Sequence, residues 1–184
     1  MYRAVALAGL RQGVDWDRPE QLAKIARQVD IQLVGPRVLL DGEDVSEAIR
    51  TTETTAVTRH AADNPAVRQH LVKLQRAAAA GDEDVVAEGR DQGPLVFPDA
   101  ECKIFLTAGP EERARRRLAD VRAQGETATL EEVLAAQERR DQEDSSRPFG
   151  PLVAAADAVE VCTDGMALDE VVDRLESLVE SKKP

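Results

Sequence analysis

Residues 88 to 117 read E-G-R-D-Q-G-P-L-V-F-P-D-A-E-C-K-I-F-L-T-A-G-P-E-E-R-A-R-R-R. Upstream of this run, Val85, Val86 and Ala87 read as the end of a buried strand. Within it, Ile104, Phe105 and Leu106 read as the next one. Arg90 and Asp91 then sit where a parallel strand ends, the edge at which ligands collect in open α/β sheets. Arg113, Arg115, Arg116 and Arg117 follow on a predicted helix. That much positive charge beside a strand end suits a phosphate ligand, because the planar guanidinium fork holds two phosphate oxygens and never loses its charge. On a helix, such arginines also serve solvation and i,i+4 pairing with Glu111 and Glu112.

Working outward, residues 84–88, 103–107 and 158–162 are short apolar runs of the kind that forms buried parallel strands. Helices are expected over about 110–123, 129–144 and 168–180. On the N-terminal side, helices are expected from Met1 to about Gly13 and from Pro19 to Val29, with Pro19 favouring a helix start. Ile31–Val34, Gly35-Pro36 and Arg37–Leu40 spell a β-hairpin, and Asp41-Gly42 marks the next turn. Residues 46 to about 80 are helical, with a break at Asp63-Asn64-Pro65. Strands alternating with helices argue for an α/β fold in one domain.

Composition narrows the function. A net charge of -11 repels extended nucleic acids and anionic membrane surfaces. Aromatics at 3% leave few platforms for stacking single-stranded bases. Local arginines still suit a small phosphorylated ligand. Cys102 and Cys162 beside core strands read as buried free thiols, and the absence of a CxxC, a His cluster or a long apolar run fits a cytoplasmic protein. His60, His70 and Trp16 read as packing residues.

Several ordered motifs give the chain a family likeness that runs nearly end to end. Met1-Tyr2-Arg3-Ala4, Leu40-Asp41-Gly42-Glu43-Asp44-Val45 with Ile49-Arg50-Thr51, the 88–117 run, and Glu138-Arg139-Arg140-Asp141 with Asp144, Arg147 and Pro151-Leu152 together resemble the bacterial cytidylate kinases, or (d)CMP kinases. The resemblance implies a P-loop NTPase-like nucleoside monophosphate kinase fold. In it, residues 14–82 form the nucleotide-binding insert, 83–108 the core strands, 109–148 the lid, and 149–184 the last strand and C-terminal helix. It implies phosphoryl transfer from ATP, with Mg2+, to CMP or dCMP by a monomer.

Roles carry over residue by residue. Arg3, Arg90 and Arg147 match arginines around the acceptor phosphate, and Arg140 and Asp144 match groups holding the sugar, with Arg90, Arg140 and Arg147 expected to be catalytic. Arg68 and Asp91 match positions reading the cytosine edge, with Thr58 in place of a family serine, and Arg113 and Arg117 match lid arginines over the donor phosphates. No protein site for a metal is implied by these matches.

One motif of the family does not occur in these residues. The family opens with a strand, a G-x-x-G-x-G-K-[ST] phosphate loop, a helix and a second strand. Here eleven glycines include no G-x-x-x-x-G-K-[ST], and none of the lysines, Lys24, Lys73, Lys103, Lys182 and Lys183, follows a glycine. The expectation is therefore a family member truncated at its N-terminus, without those first four elements, inactive and poorly stable as it stands. The alternatives are a non-catalytic CMP-binding or regulatory protein and a kinase for another nucleoside monophosphate.

Overall fold

Small and branched apolar residues dominate the first helix, α1 (Tyr2–Arg11), in which Ala4 through Gly9 are all buried. A second helix, α2 (Pro19–Gln28), starts on a proline whose fixed φ suits the first turn, and it turns Leu22, Ala23, Ile25 and Ala26 inward. The expected hairpin follows. β1 (Ile31–Val34) and β2 (Arg37–Leu40) pair antiparallel from Ile31 opposite Leu40 to Val34 opposite Arg37. A two-residue turn then leads to β3 (Glu43–Asp44), with Leu40 opposite Glu43. Asp41 and Gly42 both have positive φ, 51° and 82°, the geometry demanded by a type I′ hairpin turn and the reason for an Asp-Gly pair there.

A short 3-10 turn (Ala48–Arg50) leads into α3 (Thr52–Ala62) and α4 (Pro65–Ala78). The break between them is chemical. Asn64 caps α4 by accepting from the backbone N–H of Ala66 and Val67 at 3.0 and 3.2 Å, and its amide donates to Pro19 O at 2.8 Å. The core of this unit is Val5, Leu22, Ile25, Leu40, Val45, Ile49, Val67 and Leu71 with their neighbours, and Trp16 and Tyr2 pack at its edge. The Trp16 and His60 rings lie 5.1 Å apart.

The structure, a computed structural model, describes residues 1–81, 84–123 and 125–182, and the chain gathers into two units, Met1–Val86 and Ala87–Pro184. In the second, β4 (Ile104–Thr107) and β5 (Val159–Cys162) pair in parallel, Ile104 opposite Val159 through Thr107 opposite Cys162. Between them run α5 (Pro110–Ala123) and α6 (Leu130–Ser145), which pack together through Ala114, Leu118 and Val133. The final helix, α7 (Leu168–Glu180), has no buried residue. The fold is α/β, with helices and a small parallel sheet.

Two expectations are corrected. The described residues of 84–88 form no strand. Val85 is 55% and Val86 99% exposed, and no backbone among the described residues forms a ladder with them. Branched apolar residues favour extended chain, but a strand exists only when its N–H and C=O groups find a partner strand. Arg90 and Asp91 therefore follow an irregular segment. The thiols are also less covered than expected. Cys162 is exposed and Cys102 only half-buried, both free, because β5 alternates faces and puts Val161 rather than Cys162 inside.

Candidate active site

The second unit concentrates its charge around α6. Asp144, on the last turn of that helix, is only 1% exposed, a burial an ionised carboxylate tolerates only when paired. Its Oδ2 accepts from Arg90 Nη1 and lies 3.9 Å from Arg140 Nε, while Oδ1 pairs with Arg147 Nη2. Three segments thus bring their arginines to one acid: the loop before residue 91, the helix itself, and the stretch after it. Helical spacing explains part of this, since Arg140 is four residues before Asp144 on the same helix.

Arg90 is held a second time, its Nη1 donating to Asp141 Oδ1 at 3.3 Å. The other oxygen of Asp141 accepts from Arg113 Nη1, and Arg113 Nε donates to Ala108 O at 3.1 Å. Gln137, one turn earlier on α6, donates from Nε2 to Arg113 O at 3.2 Å. The resulting cleft of about 280 Å³ is lined by Arg90, Arg113, Arg116, Arg117, Gln137, Arg140 and Asp141. Five guanidinium groups line it; Asp141, Asp144 and Glu112 balance part of that charge, and the remaining positive charge favours an anion.

Not every arginine of α5 behaves alike. Arg116 is fixed by Glu112 Oε1 at 2.9 Å and by Thr163 Oγ1 and Thr163 O at 3.0 and 2.6 Å. Arg115 pairs with Glu111 at i,i+4 and with Glu112 at i,i+3, a solvated helix-surface arrangement. Arg117 is exposed, and its side chain forms no hydrogen bond or ion pair with other described residues.

Asp91 is buried. Its carbonyl accepts from Leu95 N and Val96 N at 3.1 and 3.2 Å and so opens a single π-helical turn, Gln92–Val96, an irregularity common at functional sites. Val96 N and Phe97 N make the i to i+5 bonds, to Asp91 O and Gln92 O at 3.2 and 2.7 Å.

The remaining expected site residues lie in the first unit. Arg3 donates from Nη1 to Ile49 O at 3.0 Å and to Thr55 Oγ1 at 2.8 Å. Thr58 Oγ1 donates back to Thr54 O at 2.7 Å. Arg68 is 4% exposed, donates to Ala62 O at 3.0 Å, and lies over the Tyr2 ring at 5.5 Å. A cation at the last carbonyls of α3 is placed where the helix dipole favours it. The structure thus brings Arg90, Arg113, Arg140, Asp144 and Arg147 together in one unit, and sets Arg3, Thr58 and Arg68 on the helices of the other.

Asp141, Gln137 and Arg116 carry this geometry although sequence reasoning assigns none of them a role of its own. Asp141 and Gln137 were legible in principle: positions 137, 141 and 144 share one face of α6. Arg116 was hidden in a run of four arginines in five residues, where nothing local tells which one meets Thr163.

A family profile described as cytidylate kinase matches residues 1–181 of the chain. The chain belongs to the cytidylate kinase family. A cytidylate kinase of Rhodopirellula baltica is 49% identical over 179 residues, covering 97% of this chain and 78% of that protein. One of Geobacter sulfurreducens is 42% identical over 187 residues, covering 100% and 80%. A bifunctional pantoate ligase/cytidylate kinase of Synechococcus elongatus is 46% identical over 184 residues, with 95% of this chain matching 35% of that longer protein. The family is one of kinases, and an α/β fold with a small parallel sheet is consistent with a nucleoside monophosphate kinase.

Membership implies ATP and Mg2+. The arginine-lined cleft fits phosphate oxygens. For the metal, no group of three or more His, Cys, Asp or Glu among the described residues is arranged to hold an ion. Among the described residues no helix is long and apolar enough to cross a membrane.

Proposed function

We propose that the chain binds CMP or dCMP as the acceptor in phosphoryl transfer from ATP, the reaction that yields CDP or dCDP. The observation that carries this reading is the convergence of Arg90, Arg113, Arg140 and Arg147 on Asp141 and Asp144 of α6 in a member of this family. Phosphoryl transfer asks the protein chiefly for alignment and for positive charge around the non-bridging oxygens. In this reading Arg90, Arg147 and Arg3 hold the acceptor phosphate, and Arg140 and Asp144 serve the sugar. Arg68, Asp91 and Thr58 read the base. The segment 14–82 is the nucleotide-binding insert, and 109–148 is the lid that carries Arg113 and Arg117.

A second reading is favoured by one sequence fact. No G-x-x-x-x-G-K-[ST] segment occurs in these 184 residues, so the backbone amides, lysine and hydroxyl that such a loop brings to donor phosphates are not among them. Losing a single preorganised donor to a transition-state oxyanion costs about 3 to 4 kcal/mol. On this ground the 184 residues act as a CMP-binding chain without turnover of their own.

Calorimetry with CMP, dCMP, AMP and dTMP, run beside a coupled assay for ADP release, tests both readings. Preferential binding of CMP and dCMP is the expected result, and tighter binding of AMP would refute the assignment. ADP release at the rate of an ordinary kinase would refute the second reading alone.

A further inference from the structure

Asp141 receives no role from the phosphate, sugar or base contacts set out above, yet it touches arginines on two separate segments. Its carboxylate spends one oxygen on each, Oδ1 on Arg90 and Oδ2 on Arg113. We propose that Asp141 is a positioning residue that holds Arg90 and Arg113 as a ready-made pair for an incoming phosphoryl group. This inference rests on the reading of the cleft as a phosphate site.

The argument begins with like charges. Two guanidinium groups repel each other, and long side chains left to themselves separate and lose the alignment that two-point recognition needs. A carboxylate between them removes the repulsion. It also presents two oxygens in a planar fork, one to each arginine, much as two non-bridging phosphate oxygens would. The pair is thereby set at a spacing compatible with a shared anion before any anion arrives.

Donor capacity allows carboxylate and phosphate to be served together. Each guanidinium carries five N–H groups. Arg90 reaches both Asp141 and Asp144 through Nη1 alone, and Arg113 uses Nη1 and Nε. The Nη2 of each therefore remains uncommitted among the described residues, inside a cleft both side chains line. Arg113 is further steadied from behind, since its own carbonyl accepts from Gln137.

This role predicts a sign opposite to that of simple charge. Removing an acid from an anion site raises its positive potential, so bulk electrostatics makes Asp141→Asn bind pyrophosphate more tightly. Positioning makes it bind more weakly, by about ten-fold, the equivalent of one charge-assisted hydrogen bond.

The probe is inorganic pyrophosphate, titrated by calorimetry into the unsubstituted chain, Asp141→Asn, Asp141→Glu, and the charge control Glu143→Gln, whose exposed side chain meets none of the described arginines. The expected order is weakened affinity for Asp141→Asn, recovery of most of it for Asp141→Glu, and unchanged or slightly tighter binding for Glu143→Gln. Thermal melts accompany each titration. In the unsubstituted chain, which needs no variant to fold, the Nε–Hε resonances of Arg90 and Arg113 should shift together with one saturation curve as pyrophosphate is added. Independent curves for the two, or an Asp141→Asn affinity equal to or tighter than that of the unsubstituted chain, would overturn the inference alone. No pyrophosphate binding by the unsubstituted chain would overturn the phosphate site and the inference with it.

Discussion

A carboxylate at 1% exposure that serves three arginines is a place where one substitution has outsized effects. Replacing Asp144 with Asn leaves Arg90 and Arg147 without their shared counter-charge. Breaking a buried charged cluster is costly, but Arg90 retains 38% of its side-chain surface, and solvent offsets part of the loss. The expected destabilisation is about 2 to 3 kcal/mol, read as a lower urea midpoint at unchanged slope. Gly9 makes a second case. A methyl there would lie 2.9 Å from Leu22 Cδ1, 3.0 Å from Trp16 Cη2 and 3.1 Å from Val14 Cγ1, so α1 can approach its neighbours only without a side chain. Gly9→Ala gains about 1 kcal/mol in helix propensity but loses about 1 to 3 kcal/mol to overpacking. A net fall in melting temperature is expected. At this scale the sequence was informative in part. The resemblance to the family pointed to Arg140, Asp144 and Arg147, and charge type with an expected strand end added to it for Arg90, whereas Arg116 depends on Thr163, forty-seven residues away, which no local pattern encodes.

Elements were legible where their boundaries carry their own chemistry. The Asp-Gly turn, the Asn64-Pro65 start of α4 and the Thr129 start of α6 each satisfy backbone groups with residues next to them. Thr129 Oγ1 accepts from Glu132 N at 3.2 Å, and Glu132 Oε2 accepts from Thr129 N at 2.8 Å, a reciprocal cap. Thr129→Ala should cost about 1 kcal/mol. The Thr129 backbone N–H, followed by its hydroxyl, holds the Glu132 carboxyl below its ordinary 4.5. A lowered folded-state value means that the stabilisation is present above the ordinary carboxylate range and is lost as pH falls through the folded value. Glu132→Gln should therefore be destabilising at pH 7 and indistinguishable from the parent in strong acid, a comparison that melts at the two pH values make directly. α7 has half of such a cap: Glu170 accepts from Ala167 N at 2.7 Å, and Ala167 has no acceptor to return. The segment 84–88 was misread for the converse reason. Strand propensity is local, but a strand's partner is not.

Over the whole molecule, family membership rests on matches that run from residue 1 to 181, far more than any one motif could carry. Fold class was readable because hydrophobic periodicity switches between helix and strand along the chain. The division into two units was not, because it depends on which segments meet in space rather than on composition. That division falls at Val86, nearly fully exposed, in a stretch without regular structure. A protease that cuts after small aliphatic residues needs an extended, accessible backbone to fit its groove. Brief elastase treatment should therefore nick the chain first after Val85 or Val86 and leave two fragments of about half the mass each, resolvable by mass spectrometry. First cuts within α1 to α4 or within α5 and α6 would contradict this. If CMP binding slows the nick, susceptibility at this short stretch becomes a ligand assay that requires neither turnover nor a donor nucleotide.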